Sequence, residues 1–131
     1  MRKEIKTENA PAAIGPYSQA VEAGGFLFVS GQIPINPADG SIPDGITAQT
    51  EQVLKNVSAI LAADNLTLKD VIKTTVFLHH MDDRNDMNEV YAKFFPPPYP
   101  PRSTIEVSAL PRDALVEIEC VAITKRPRKK Q

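Results

Sequence analysis

The chain has 131 residues, a formal net charge of −1, 42% hydrophobic and 24% charged residues. That is the size of one domain that can bury a core without disulfide or metal support, and its charge creates no general field to draw in nucleic acid. A single cysteine, Cys120, excludes an internal disulfide, and with no apolar run of membrane-spanning length and no leader pattern the expected setting is cytoplasmic, with no membrane partner.

Residues 2–7, RKEIKT, suit a short edge strand, and the turn-forming ENAPAAIGPYSQ after them predicts an ordered loop. Strands are predicted at 19–23 and 26–33 around Gly24-Gly25, a two-residue connection suited to a tight hairpin because glycine tolerates positive φ. Strict alternation would put Phe26, Phe28, Ser30 and Gln32 on one face and Leu27, Val29, Gly31 and Ile33 on the other. After the punctuated loop PINPADGSIPDG, Val53, Leu54, Val57, Ile60 and Leu61 fall on one stripe of a helix expected over 46–64. The β-branched run 71–80 predicts a central strand, and 83–95 a second helix with Met87, Val90, Tyr91 and Phe94 inward.

Positions 96–101 then hold five of the chain's twelve prolines. Pro96-Pro97-Pro98-Tyr99 spells PPxY, which reads either as a preformed extended ligand for aromatic-grooved domains or as stiff backbone that fixes the direction of Arg102. A position between a packed helix and an interior strand favours the brace. Strands at 103–110 and 114–124, joined by a turn at Pro111-Arg112-Asp113, complete a single domain over 1–124, and the basic tail 125–131, KRPRKKQ, is expected to be disordered.

The element order implies an α+β fold, one mixed sheet with two helices on one face. Yet the long strands carry apolar residues on both faces: Val71, Thr75 and Phe77 oppose Ile72, Val76 and Leu78, and Val116, Ile118, Cys120 and Ala122 oppose Val121 and Ile123. Two helices cannot cover both faces, so the second face is expected to be buried by further copies of the chain; an internal small-molecule cavity is the competing explanation. His79-His80, as neighbours on one strand, would point to opposite sides and could not chelate a metal together. Polar residues at sheet positions remain: Arg102 and Thr104 on one face, Glu117 and Glu119 on one face of the last strand, and Ser30. They read either as an ion pair between strands or subunits, or as an anion site in which a guanidinium grips a carboxylate and a glutamate handles a proton.

The stretches NAPAAIGPYSQAV, FVSGQIPINPADG, VIKTTVFL, MNEVYAKFF, PPRSTIEVSALP and VEIECVAI, in this order from about residue 6 to residue 124, resemble the RidA (YjgF) family of imine deaminases. The resemblance implies a chorismate-mutase-like fold and a homotrimer with clefts between subunits. It also implies hydrolysis of 2-imino acids such as 2-iminobutanoate and 2-iminopropanoate to 2-oxo acids and ammonia, without metal or cofactor, protecting pyridoxal-phosphate enzymes from reactive enamines and imines. By the same resemblance Arg102 of PPRST would clamp the substrate carboxylate and Glu117 of VEIE would hold the attacking water. Tyr17 of GPYSQ and Ser30-Gly31 of VSGQ would line the cleft, with Asn88 of MNEVY reaching in from the second helix. Thr104 stands where many members carry cysteine, which leaves a hydroxyl and no thiol there. Two other activities are weighed against this one. RNA cleavage would lean on the tail cations Lys125, Arg126, Arg128, Lys129 and Lys130, and a non-catalytic module would only capture small acids. No nucleic-acid partner is expected, because the body has no basic surplus.

Overall fold

The computed structural model describes residues 1–124; the basic segment 125–131, expected to be disordered, lies outside the described residues. The elements are β1 Lys3–Ile5, β2 Ala20–Ala23, β3 Phe26–Gln32, α1 Ile46–Ala62, β4 Val71–Leu78, α2 Arg84–Phe94, β5 Arg102–Glu106 and β6 Val116–Ile123, with single 3-10 turns at Leu68–Asp70, Met81–Asp83 and Pro111–Asp113. They build one six-stranded sheet in the order β1-β2-β3-β6-β4-β5. The pairs are antiparallel except β4–β5, and α2 supplies the crossover that a parallel pair requires. This is the α+β arrangement expected from the sequence.

Local chemistry explains the boundaries. Gly24 and Gly25 turn the β2–β3 hairpin with φ of 62° and 88°, a pair of positive values that side-chain-bearing residues adopt poorly. Helix α1 ends where Asn65 takes φ 59°: its N–H donates to the Ala62 carbonyl at 3.0 Å, and the Leu66 N–H donates to the Leu61 carbonyl at 2.9 Å, which satisfies carbonyls the helix leaves open. Phe95 caps α2 by donating its N–H to the Tyr91 carbonyl at 3.1 Å, and the prolines that follow have no N–H to continue. Both helices cover one face of the sheet, where Leu27, Val76, Leu78, Val116 and Ile118 are sealed beneath Val53, Leu54, Val57, Ile60, Leu61 and Met87.

Three expectations change. Val29 pairs with Cys120 and Gln32 with Ile118, so three steps on β3 match two on β6 and Ser30-Gly31 forms a bulge. Gln32 therefore turns into the core instead of following Phe26 and Phe28. A second bulge, between Val71 and Lys73, buries Val71 and leaves Ile72 exposed, contrary to strict alternation. Finally, β5 is an edge strand and not an interior one, and Pro96 to Tyr99 are exposed. The proline run is nevertheless tied at its end, where the Thr74 N–H donates to the Pro101 carbonyl at 3.0 Å.

The other face of the sheet carries Phe26, Phe28, Ile105 and Ile123 exposed, with Phe77 and Val121 half-buried among them. Among the described residues no helix is long and apolar enough to cross a membrane.

Candidate active site

The β4–β5 register sets Arg102 beside Thr74, and because Thr74 is fully buried under the helices, Arg102 leaves the strand on the helix side. Its guanidinium carbon lies 4.7 Å from the centroid of the Tyr91 ring. The Tyr91 hydroxyl shares a 2.7 Å hydrogen bond with the Thr74 hydroxyl, and its other neighbour is Phe95, stacked at 4.4 Å between centroids. Burial pushes the Tyr91 phenol up from its ordinary pKa, against the opposing pull of Thr74 and Arg102, so the ring stays neutral. Asn88, Tyr91, Ala92, Tyr99, Pro100 and Arg102 wall a cavity of about 350 Å³. Thr104, half-buried, follows Arg102 on the same side of β5.

Glu117 pairs with Phe77 across β6–β4 and projects from the opposite, open face. Half-burial raises its pKa above the usual carboxylate range, and repulsion from Glu119 on the same face adds to the rise. Its carboxylate occupies the space where a Cβ on residue 31 would stand, so any larger residue than Gly31 would displace the Glu117 side chain. The neighbouring Ser30 has a structural bond: its hydroxyl donates to the Ser18 carbonyl at 2.6 Å and its N–H to the Gln19 carbonyl at 2.9 Å. Buried Gln19 in turn accepts from the Thr7 N–H at 2.7 Å and donates to the Pro11 carbonyl at 2.7 Å, which orders the predicted loop. Tyr17 is thereby presented at 53% exposure, its hydroxyl accepting from the Ile14 N–H at 3.3 Å. It lines a separate cleft of about 890 Å³ together with Lys6, Ala10 and Pro11.

Of the residues picked from the sequence, then, Arg102 and Asn88 share one cavity, and Glu117 and Gly31 share another environment. The two sets lie on opposite faces of the sheet within one subunit, which rules out an Arg102–Glu117 ion pair inside the chain. Two residues missed as site candidates, Tyr91 and Tyr99, stand in the Arg102 cavity. Tyr91 looked like helix core because it lies on the inner stripe of α2; the available signal was an aromatic opposite a strand that begins with arginine.

Other reactive groups lead elsewhere. Cys120 is buried, and burial pushes its thiol up to about 12, with Glu119 adding to the rise, so it offers no thiolate. β4 stops at Leu78, so the alternation expected of His79 and His80 does not apply: their rings sit 4.1 Å apart. Among the described residues no group of three or more histidine, cysteine, aspartate or glutamate side chains is placed to hold a metal.

Comparison with known proteins adds family membership. Residues 7–124 match the family model described as Endoribonuclease L-PSP. A RutC family protein of Pyrococcus horikoshii is 56% identical over 93% of this chain and 98% of its own. The 2-iminobutanoate/2-iminopropanoate deaminase of Escherichia coli is 46% identical over 95% of this chain and 100% of its own. The crystal structure of Escherichia coli TdcF with bound serine superposes with a TM-score of 0.89 at 43% identity, covering 94% of this chain and 99% of that one. With the family model spanning all but the ends of the chain, and relatives this similar along nearly their whole length, this protein belongs to the RidA (YjgF) family.

Proposed function

We propose that this chain hydrolyses small 2-imino acids, 2-iminobutanoate and 2-iminopropanoate, to 2-oxo acids and ammonia, and so protects pyridoxal-phosphate enzymes from these products. The site is a cleft between subunits of a homotrimer, in which the Arg102 side of one subunit faces the Glu117 side of the next. One observation carries this reading: the fork for a carboxylate and the carboxyl group suited to proton transfer sit on opposite faces of one sheet, and the face bearing Glu117 leaves Phe26, Phe28, Ile105 and Ile123 exposed. A deaminase relative at 46% identity and a related fold holding serine, itself a small carboxylate, support it.

The chemistry asks little of the protein. A protonated imine carbon is already electrophilic, so orientation and proton movement are the main contributions. Arg102 grips the substrate carboxylate through two parallel N–H groups, with Asn88 beside it, and this fixes the imine carbon. Glu117 holds a water and takes its proton as the oxygen adds to C2, which gives a carbinolamine. Transfer of that proton to the amino nitrogen makes it a leaving group; as the C–N bond breaks, Glu117 takes the remaining hydroxyl proton, the 2-oxo acid forms, and ammonia departs carrying that proton as ammonium. A carboxyl group with a raised pKa exchanges that proton more readily near neutrality than an ordinary glutamate would.

The test generates 2-iminobutanoate in place with a threonine dehydratase and follows loss of the imine trapped by semicarbazide. Accelerated loss in the presence of the protein is expected; a rate equal to spontaneous hydrolysis overturns the reading. RNA cleavage, the other activity suggested by the family model's description, finds less support. The chain's two histidines have their rings 4.1 Å apart, which leaves no room for a phosphodiester between an acid and a base.

A further inference from the structure

Arg102 does not stand alone on its strand. Phe95, Tyr91 and Arg102 form a stack that runs from the core to the cavity, with Phe95 1% and Tyr91 5% exposed and Arg102 half-buried at the outer end. Tyr91 is held from two further directions, by its place in α2 and by the 2.7 Å bond from its hydroxyl to the Thr74 hydroxyl. Thr74 is also the cross-strand neighbour of Arg102, and its N–H pins the Pro101 carbonyl immediately before the arginine. The backbone and the side chain of Arg102 are thus fixed from the same two residues.

A free arginine side chain samples many rotamers, and a ligand that binds it must order them first. A guanidinium held at an aromatic face by the ring quadrupole has already lost that freedom. We propose that Tyr91 is a positioning residue that pre-sets Arg102 as a carboxylate fork, and that Arg102 uses the electron-rich face of the ring while the hydroxyl only keeps the ring in place. The identity of the ligand as a 2-oxo or 2-imino carboxylate rests on the proposed function; the positioning role does not require catalysis.

Removing the ring outright would hollow the core, so the test keeps its shape. In the full chain Tyr91 is replaced by phenylalanine and by phenylalanines bearing one, two and three ring fluorines, which progressively weaken the quadrupole. Binding of 2-oxobutanoate is measured by calorimetry, with thermal melting as the control for folding. Tyr91→Phe is expected to bind within about threefold of the parent and to melt lower by the worth of the lost Thr74 hydrogen bond, and affinity to fall stepwise with fluorine number to about tenfold weaker at three, with no further change in melting. In turnover assays KM should rise along the series while kcat holds. Affinity that is flat across the fluorines overturns the proposal, as does a Tyr91→Phe loss equal to that of the trifluorinated ring, or a parent protein that does not bind 2-oxobutanoate. A parent that binds 2-oxobutanoate with the expected fluorine trend but does not hydrolyse the imine removes the deaminase reading and leaves the positioning role standing.

Discussion

The two faces of the sheet carry similar amounts of apolar side chain and meet different fates. Beneath the helices, Leu27, Val76, Leu78, Val116 and Ile118 are completely or almost completely removed from water, and two of the buried polar groups, Thr74 and Gln49, find partners. On the other side Phe28 is 48% exposed, Ile105 44% and Ile123 48%, and a half-buried glutamate stands beside them. Scattered apolar residues on a surface mean little, but Phe26, Phe28, Val121 and Ile123 adjoin across β3 and β6, and such a patch marks a surface suited to association. The helix-covered face stores the stability of the subunit, while the open face is, on the proposed reading, completed by assembly. Arg102 at the rim of the first and Glu117 on the second place the proposed chemistry across that division.

The largest expected effect separates catalysis from stability on the open face. Glu117→Gln removes the group proposed to hold and deprotonate water, and turnover of 2-iminobutanoate should fall by about a hundredfold to ten-thousandfold. Stability should move the other way. Because burial raises the folded-state pKa of Glu117, the native state binds its proton more tightly than the unfolded chain does, and it loses stability as pH rises from the ordinary glutamate value through the raised one. Melting of Glu117→Gln and the parent should therefore match at pH 4, with the variant gaining ground toward pH 7. Equal melting at both pH values would mean that the carboxyl group is not desolvated in the assembled protein.

A paired substitution tests the two faces directly. Leu54 is fully buried, and Leu54→Ala should lower stability by about 2–5 kcal/mol at any protein concentration. Phe28→Ala, on the open face, should instead reduce the oligomeric mass seen by native mass spectrometry and make melting depend on concentration. A parent protein that is monomeric at micromolar concentration would sever the link between the open face and assembly.

Much of this division was legible in the sequence, and the exceptions have physical causes. The stripe Val53, Leu54, Val57, Ile60, Leu61 and the run from Val71 located α1 and β4, because side-chain period is set by backbone geometry. Apolar residues on both faces of the long strands point to the uncovered surface from the sequence alone. Alternation fails where a residue is inserted, however, and nothing in the composition of Val29-Ser30-Gly31-Gln32 announces that the register against β6 shifts there. Arg102-Ser103-Thr104-Ile105-Glu106 reads the same in an interior or an edge strand; its place at the edge follows from the crossover through α2. The stacking of Arg102 on Tyr91 joins residues on two different elements, which no period within either one encodes.

Ser30 carries the smallest expected effect and bears on how the open half of the site is built. The family resemblance implies a cleft-lining residue; in the fold its hydroxyl donates to the Ser18 carbonyl at 2.6 Å, next to the loop that presents Tyr17. Ser30→Ala should therefore cost about 1 kcal/mol of stability, the worth of one hydrogen bond, and leave KM for 2-iminobutanoate within about threefold. A hydroxyl that contacts the substrate would behave in the opposite way, with unchanged melting and a KM raised about tenfold, since a bound polar group that loses its partner gives up more than a neutral tether does. The first result makes Ser30 part of the frame around Gly31 and Glu117; the second would move it into the set of groups that touch the ligand, and the bulge would then have to deliver a side chain as well as make room for the Glu117 carboxylate.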